Sequence, residues 1–356
     1  MAKADTAYEV DARARFDEAA LARFLATARP DLQGPLEVMQ FPKGYSNLTY
    51  LLRLGDKELV MRRGPPGVKI QGAHDMSREY RVLSGLAKVW TKSPPPVAFC
   101  EDASVLGGPF YVMERVHGVV LREGERSPEL TPPKMRLLSE KLLDTLVELH
   151  SVDLDAAGLA TLGRPDGYLE RQVSGWTGRY AAAKTDELPD VDRVTRWLAE
   201  NIPPTTHVRL LHNDYKYDNV ILNVELTDVA AVLDWELATR GDPLADLGCM
   251  LGLWVDVDDH PGLKTCIFGP TDLPGNLNRQ QLAERYAKAT GADLTHLPFY
   301  YVLGNFKIVA ALQQLYQRYV RGLTTEERYR RLLEVVRGYA NASLRVIELG
   351  RIYDLA

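Results

Sequence analysis

His212-Asn213-Asp214-Tyr215-Lys216-Tyr217-Asp218-Asn219 runs straight into the apolar Val220-Ile221-Leu222, and a second apolar run, residues 229–233, ends in Asp234-Trp235-Glu236. Two short extended runs flanking so dense a polar segment read as a β-hairpin, with Asp214, Asn219 and Asp234 at its ends, where side chains can converge. Such a trio suits metal-phosphate chemistry. Mg²⁺ prefers a few carboxylate or amide oxygens together with phosphate oxygens, and a separate carboxylate is needed to orient a hydroxyl nucleophile. Asn and Asp also populate hairpin ends for backbone reasons alone, so a purely turn-forming role stands beside the chemical one.

Outward from this segment the chain divides in two. Toward the N-terminus, Asp17 reads as the N-cap of a helix whose face is Leu21, Phe24, Leu25 and Ala28, with Phe16 and Leu21 at staple spacing. Extended runs follow at 36–41, 48–54 and 58–63, separated by Gly44 and by Gly55-Asp56-Lys57. A helix beginning at Asp75 (Met76, Tyr80, Leu83, Leu86) precedes two further strands at 97–100 and 110–116, completing a five-stranded antiparallel sheet. From Thr131 the period is helical, as in Leu138, Leu142, Thr145 and Leu149, and it stays so to the C-terminus apart from the hairpin runs. The expectation is an α+β chain with a sheet-rich lobe over residues 1–115 and a larger, mainly helical lobe over 116–356. The charge divides with it, +2 in the first part and -7 in the second.

Composition narrows the function classes. The 356 residues are 46% hydrophobic and 26% charged, typical of globular protein, and the net charge of -5 leaves no basic surplus for a nucleic-acid backbone. Cys100, Cys249 and Cys266 have neither zinc nor disulfide spacing and fit a reducing cytosol. The charged N-terminal stretch carries no signal-peptide core and no apolar run is long enough for a membrane span, so the expected location is cytoplasmic, with neither nucleic acid nor membrane as partner.

In its ordered set of motifs the chain resembles the aminoglycoside phosphotransferase family, the small-molecule branch of the protein-kinase-like fold. The kinase catalytic loop H-x-D-x-x-x-x-N, followed by a metal-binding Asp, is matched by His212, Asp214, Asn219 and Asp234. Gly241-Asp242-Pro243-Leu244-Ala245-Asp246-Leu247 is similar to the family's G-D-P-x-x-D-L, and Phe110-Tyr111-Val112-Met113-Glu114 to its interlobe linker. Val60-Met61-Arg62 matches the third strand and Arg78-Glu79-Tyr80 the helix bearing the acidic partner. The resemblance implies a two-lobed fold and an ATP- and Mg²⁺-dependent transfer of phosphate to a small-molecule hydroxyl. Asp214 would orient that hydroxyl and accept its proton, and Lys216 would neutralise the phosphoryl group in flight. Asn219 and Asp234 would hold Mg²⁺, while Arg62, paired with Glu79, would reach the α- and β-phosphates. Gly44, Ser46 and Asn47 would cover the phosphates, and backbone groups of Glu114 and Val116 would meet adenine. Asp246 would support the catalytic loop from below, and His212 would pack structurally.

The departures are informative. The phosphate loop, residues 42–47, holds one glycine, the third-strand base is Arg where protein kinases have Lys, and Asp234-Trp235-Glu236 lacks the D-F-G glycine. No A-P-E segment follows, which argues against a regulated protein kinase. A non-catalytic nucleotide-binding module remains an alternative, opposed by the full set of Asp214, Asn219 and Asp234; a metal-dependent phosphohydrolase lacks a second ligand pair. For the acceptor, Trp254, Asp256, Asp258 and Asp259 would suit a cationic amine by charge pairing and cation-π contact, or they form a solvated acidic loop. A hydroxy acid or its thioester is the other acceptor class. Oligomeric state is not legible.

Overall fold

The computed structural model describes residues 7–41, 47–65, 75–122, 124, 126–205, 207–256, 259, 263–265 and 267–355. In chain order they form helix α1 (Glu18–Ala28), strands β1 (Leu36–Gln40), β2 (Leu48–Leu54) and β3 (Lys57–Arg63), helix α2 (Met76–Leu86), β4 (Pro96–Cys100), the short α3 (Ala103–Leu106) and β5 (Phe110–Glu114). Helices α4 (Pro132–His150), α5 (Tyr168–Ala183) and α6 (Pro189–Glu200) follow, then β6 (Arg209–Leu211), β7 (Val220–Leu222), β8 (Val229–Val232) and β9 (Thr239–Gly241). The chain closes with α7 (Pro243–Gly252), α8 (Arg279–Thr290), α9 (Leu297–Val320) and α10 (Leu332–Leu349). Two compact units result: residues 1–120, 153–160 and 219–238 in one, and 121–152, 161–218 and 239–356 in the other.

The first unit is built on an antiparallel sheet of order β1-β2-β3-β5-β4. Alternation along the strands sorts its two faces. Tyr50, Leu52 and Leu54 of β2, Leu59 and Met61 of β3 and Phe110 and Val112 of β5 join one buried cluster with Leu21 and Leu25 of α1. Asp17 caps that helix by accepting the Ala20 N–H at 2.9 Å, as its sequence position predicts. Arg62 and Tyr111 fall on the opposite face as cross-strand neighbours, and α2, capped by Asp75 on the Arg78 N–H, brings Glu79 to them. The same unit contains the β7–β8 hairpin. Gly118 lies so close to it that a Cβ would stand 2.1 Å from the Leu222 carbonyl oxygen, so only glycine lets the segment beyond β5 reach the hairpin.

The second unit is helical apart from the two-stranded β6–β9 ladder. Leu138, Leu142, Thr145 and Leu149 of α4 are fully buried, the stripe expected from their spacing. Helices α7 and α9 meet backbone to backbone, since a Cβ on Gly248 would sit 2.3 Å from the Tyr300 carbonyl oxygen and one on Gly304 2.4 Å from that of Gly248. This approach positions the start of α7 beneath the loop leaving β6. Among the described residues no helix is long and apolar enough to cross a membrane.

Candidate active site

In the helical unit, β6 delivers His212 and β9 delivers Asp242, which caps α7 by accepting the Leu244 N–H at 3.0 Å. One turn into α7 the fully buried Asp246 carboxylate accepts the N–H groups of His212 at 2.6 Å and Asn213 at 2.7 Å. His150 adds a contact at 3.3 Å and is itself held by the Tyr286 hydroxyl at 2.7 Å. Burial alone would raise the Asp246 carboxyl, yet the bonds from His150 and the loop N–H groups hold it below the usual carboxylate range. Thus pinned, the loop turns at Asn213 in a left-handed conformation (φ 67°), and the Asp214 N–H donates to His212 Nδ1 at 3.2 Å. His212 is wholly buried and acts as a spacer inside the loop, the structural role its sequence context implied. Lys216 Nζ bonds both Asp214 oxygens at 2.8 Å, so a cation sits directly on the carboxylate expected to act as base.

In the sheet-rich unit, Arg62 bridges Glu79 (Nη1 to Oε2, 3.0 Å) and Asp234 (Nη2 to Oδ1, 2.9 Å). Glu79 is fully buried; it also receives the Tyr111 hydroxyl at 2.6 Å. Burial pushes its carboxyl up, against the pull of Arg62 and with the push of Asp234. Asp234 takes a left-handed backbone (φ 66°) at the exit of β8, and Trp235 beside it is buried, donating its indole N–H to the Val232 carbonyl at 3.0 Å. The Leu233 N–H donates to the Asn219 carbonyl at 2.8 Å, so the two ends of the hairpin are hydrogen-bonded neighbours. Carboxylate oxygens of Glu79, Asp234 and Glu236 lie within 4.8 Å of one another. These are hard oxygen donors, the chemistry Mg²⁺ selects, so Asp234, the expected metal residue among them, fits that ion.

The remaining expected positions fall out unevenly. Gly44 and Ser46 lie outside the described residues, as does Asp258. The Asn47 side-chain amide, expected over the phosphates, donates to Glu79 Oε1 at 3.3 Å and Glu236 Oε2 at 3.1 Å; two nearby carboxylates draw it inward. The Glu114 N–H is taken by the Pro95 carbonyl at 2.8 Å, so an adenine edge would rely on the Glu114 carbonyl and on Val116.

The acidic patch requires correction. Asp259 is buried in a two-pronged pair with Arg279, whose Nη1 donates at 2.8 Å, and Asp256 stands 3.4 Å from Arg279 Nε. A guanidinium only 3% exposed must be neutralised, and these two carboxylates do so. Trp254 is buried as well, bonded through Nε1 to the Leu277 carbonyl at 2.9 Å and stacked on Tyr217 with centroids 5.5 Å apart. Neither Asp256 nor Asp259 is an idle charge awaiting an amine, and the Trp254 ring is engaged in packing.

Sequence reasoning passed over Tyr111, Glu236, His150, Tyr286 and Lys307. Tyr111 and Glu236 were within reach, because Tyr111 is the register partner of Arg62 and Glu236 follows Asp234 by two positions. Lys307, 94 positions from Asn213, carries no local signal that ties it to the loop it touches.

Residues 37–294 match the phosphotransferase enzyme family. The chain is 34% identical to acyl-CoA dehydrogenase family member 11 of Gallus gallus over 345 residues, covering 94% of this chain and 44% of that protein. It thus spans less than half the length of the curated relatives it matches. Among solved structures, an aminoglycoside-phosphotransferase-like protein of Ralstonia eutropha JMP134 superposes with a TM-score of 0.78 at 30% identity, covering 93% of this chain and 99% of that one. A thermostable mutant of aminoglycoside phosphotransferase APH(4)-Ia, in ternary complex with AMP-PNP and hygromycin B, shares the fold with a TM-score of 0.56 at 18% identity, over 90% of this chain and 98% of its own. The fold is therefore the α+β, two-lobed, protein-kinase-like one, and the chain belongs to the phosphotransferase enzyme family that includes the aminoglycoside phosphotransferases.

Proposed function

We propose that the chain is an ATP- and Mg²⁺-dependent kinase that transfers the γ-phosphate to a hydroxyl of a small molecule. The observation that carries this reading is the Asp246 carboxylate gripping two consecutive N–H groups, because it fixes the backbone immediately before Asp214. A hydroxyl is a weak nucleophile, and a carboxylate held in place can orient it and take its proton. Lys216, already on that carboxylate, is placed to follow the charge that builds as phosphate transfers. Asn219 and Asp234 would hold the metal, whose chemistry is to neutralise and align the phosphates. Arg62, buttressed by Glu79, supplies a fixed cation for the α- and β-phosphates, and backbone groups of Glu114 and Val116 would meet adenine.

A second reading concerns the acceptor. The relatives are named for acyl-CoA dehydrogenases, and a kinase region joined to such a protein is suited to a hydroxylated acid or its thioester. The test is a panel of hydroxylated metabolites, amines, sugars, hydroxy acids and hydroxyacyl thioesters, incubated with Mg-ATP and read by mass spectrometry of the product. Phosphorylation of one class, lost in Asp214→Ala by about 10²- to 10⁴-fold with Mg-ATP affinity retained, is the expected result. Turnover within tenfold of the parent would remove Asp214 from the role.

A further inference from the structure

Lys307, on α9, is held where the catalytic loop turns. Its Nζ lies 3.2 Å from Asn213 Oδ1 and 3.1 Å from Cys249 Sγ, and 5.8 Å from the centre of the Trp176 ring. The Arg179 guanidinium covers the same indole at 4.4 Å, and the Trp176 N–H is tied to Gln172 Oε1 at 3.2 Å. Asn213 Oδ1 also accepts the Tyr168 hydroxyl at 2.7 Å, so the amide is oriented before Lys307 reaches it. Both hydrogen-bond partners of the ammonium are therefore neutral. Among the described residues no carboxylate stands within ion-pair distance of Nζ. Burial pushes the Cys249 thiol up, although Lys307 pulls the other way, so the thiol stays uncharged near neutrality and does not balance the cation. A half-buried lysine with no carboxylate in ion-pair contact among the described residues, beside an aromatic ring already bearing a second cation, is poorly suited to a cationic acceptor and well suited to an anion.

We propose that Lys307, backed by Trp176 and Arg179, binds an anionic group of the phosphate acceptor, a carboxylate or a phosphate, and so sets the acceptor's charge class. The assignment rests on Asp214 as the site of hydroxyl activation. Asn213 links the two: the residue whose side chain bonds Lys307 directly precedes Asp214, so an acceptor with its hydroxyl at Asp214 would extend its anionic end toward α9. A carboxylate would come from a free hydroxy acid, a phosphate from a nucleotide-bearing thioester, and the two sources are separable by assay.

The experiment uses the full chain with three acceptors of matched carbon skeleton: hydroxybutyrate, its coenzyme A thioester and the corresponding amino alcohol. Each is measured for Mg-ATP-dependent phosphorylation and, with AMP-PNP and Mg²⁺ present, for binding by calorimetry. The parent should favour one of the two anionic compounds. Lys307→Met, which keeps the apolar stem on Trp176, should raise its KM or Kd about 10- to 100-fold, the cost of one charge-assisted contact, with kcat for the phosphorylated compound changed far less. Lys307→Arg should restore most of the loss and Lys307→Glu should deepen it; neither should shift affinity for Mg-ATP. A purely structural lysine would instead lower Tm and leave acceptor affinity alone. Preference for the amino alcohol, binding of none of the three, or a Lys307→Met protein whose affinity for the anion stays within twofold of the parent overturns the proposal. Failure to bind Mg-ATP at all would overturn the kinase reading, a separate result that the nucleotide titration reports by itself.

Discussion

Replacing Asp246 by asparagine tests whether one buried carboxylate holds the catalytic loop. Asp246 accepts the His212 and Asn213 N–H groups at 2.6 and 2.7 Å, and its charge is fully buried. Hydrogen bonds to a charged group are worth about 1.5–3 kcal/mol each, and an asparagine keeps one accepting oxygen while turning its NH₂ on the other N–H. Asp246→Asn should therefore cost about 2–4 kcal/mol, a large share of a typical total of roughly 5–15 kcal/mol. Loss of the fixed turn should also displace Asp214, and a displacement of about 1 Å lowers turnover about 10²-fold. The pH dependence supplies an independent check. The folded carboxyl is held below its unfolded value, despite burial, by His150 and the loop N–H groups, so it contributes stability above the unfolded value of about 3.9 and loses it as pH falls through the lowered folded one. Urea unfolding followed by tryptophan fluorescence should show the gap between parent and variant at its full size at pH 7 and shrinking below about pH 4. A gap under about 0.5 kcal/mol at neutral pH, or one that persists unchanged in acid, would refute the reasoning.

Three other outcomes follow from the geometry. Asp234→Ala should weaken Mg-ATP binding far more than binding of metal-free ATP, because it removes a hard oxygen from beside Glu79 and Glu236; titration calorimetry with and without Mg²⁺ would show it, and an unchanged metal dependence counts against the site. Lys216→Ala, which strips the cation from Asp214, should lower kcat while leaving the KM for ATP nearly constant, and an unaltered kcat in steady-state kinetics returns Lys216 to an ordinary loop residue. Gly248→Ala should destabilise by about 2 kcal/mol or more in denaturant unfolding, because its methyl meets the Tyr300 backbone at 2.3 Å and neither helix can yield; a stability loss below about 0.5 kcal/mol would mean that α7 and α9 slide apart freely.

Local pattern made much of this protein readable. Asp17 and Asp75 cap their helices where a short acceptor precedes an apolar stripe, and the five sheet strands lie within two residues of their expected ends, because caps and alternation act over a few residues. The ordered motifs around Asp214, Asn219, Asp234 and Asp246 were likewise legible, since each depends on fixed spacing along the chain. What they could not convey is which charges are already spent. Asp256 and Asp259 read as an acidic patch until Arg279, on a helix further along, is seen to consume them, and Asn47 reads as a phosphate-loop residue until Glu79 and Glu236 are seen to hold its amide. Lys307 showed the opposite case, an ordinary helical lysine in sequence that packing brings to Asn213 and leaves without a carboxylate among the described residues. Spacing determines which side chains leave a given turn together. Whether a charge is neutralised depends on partners dozens of residues away, and only the packed tertiary structure decides who they are.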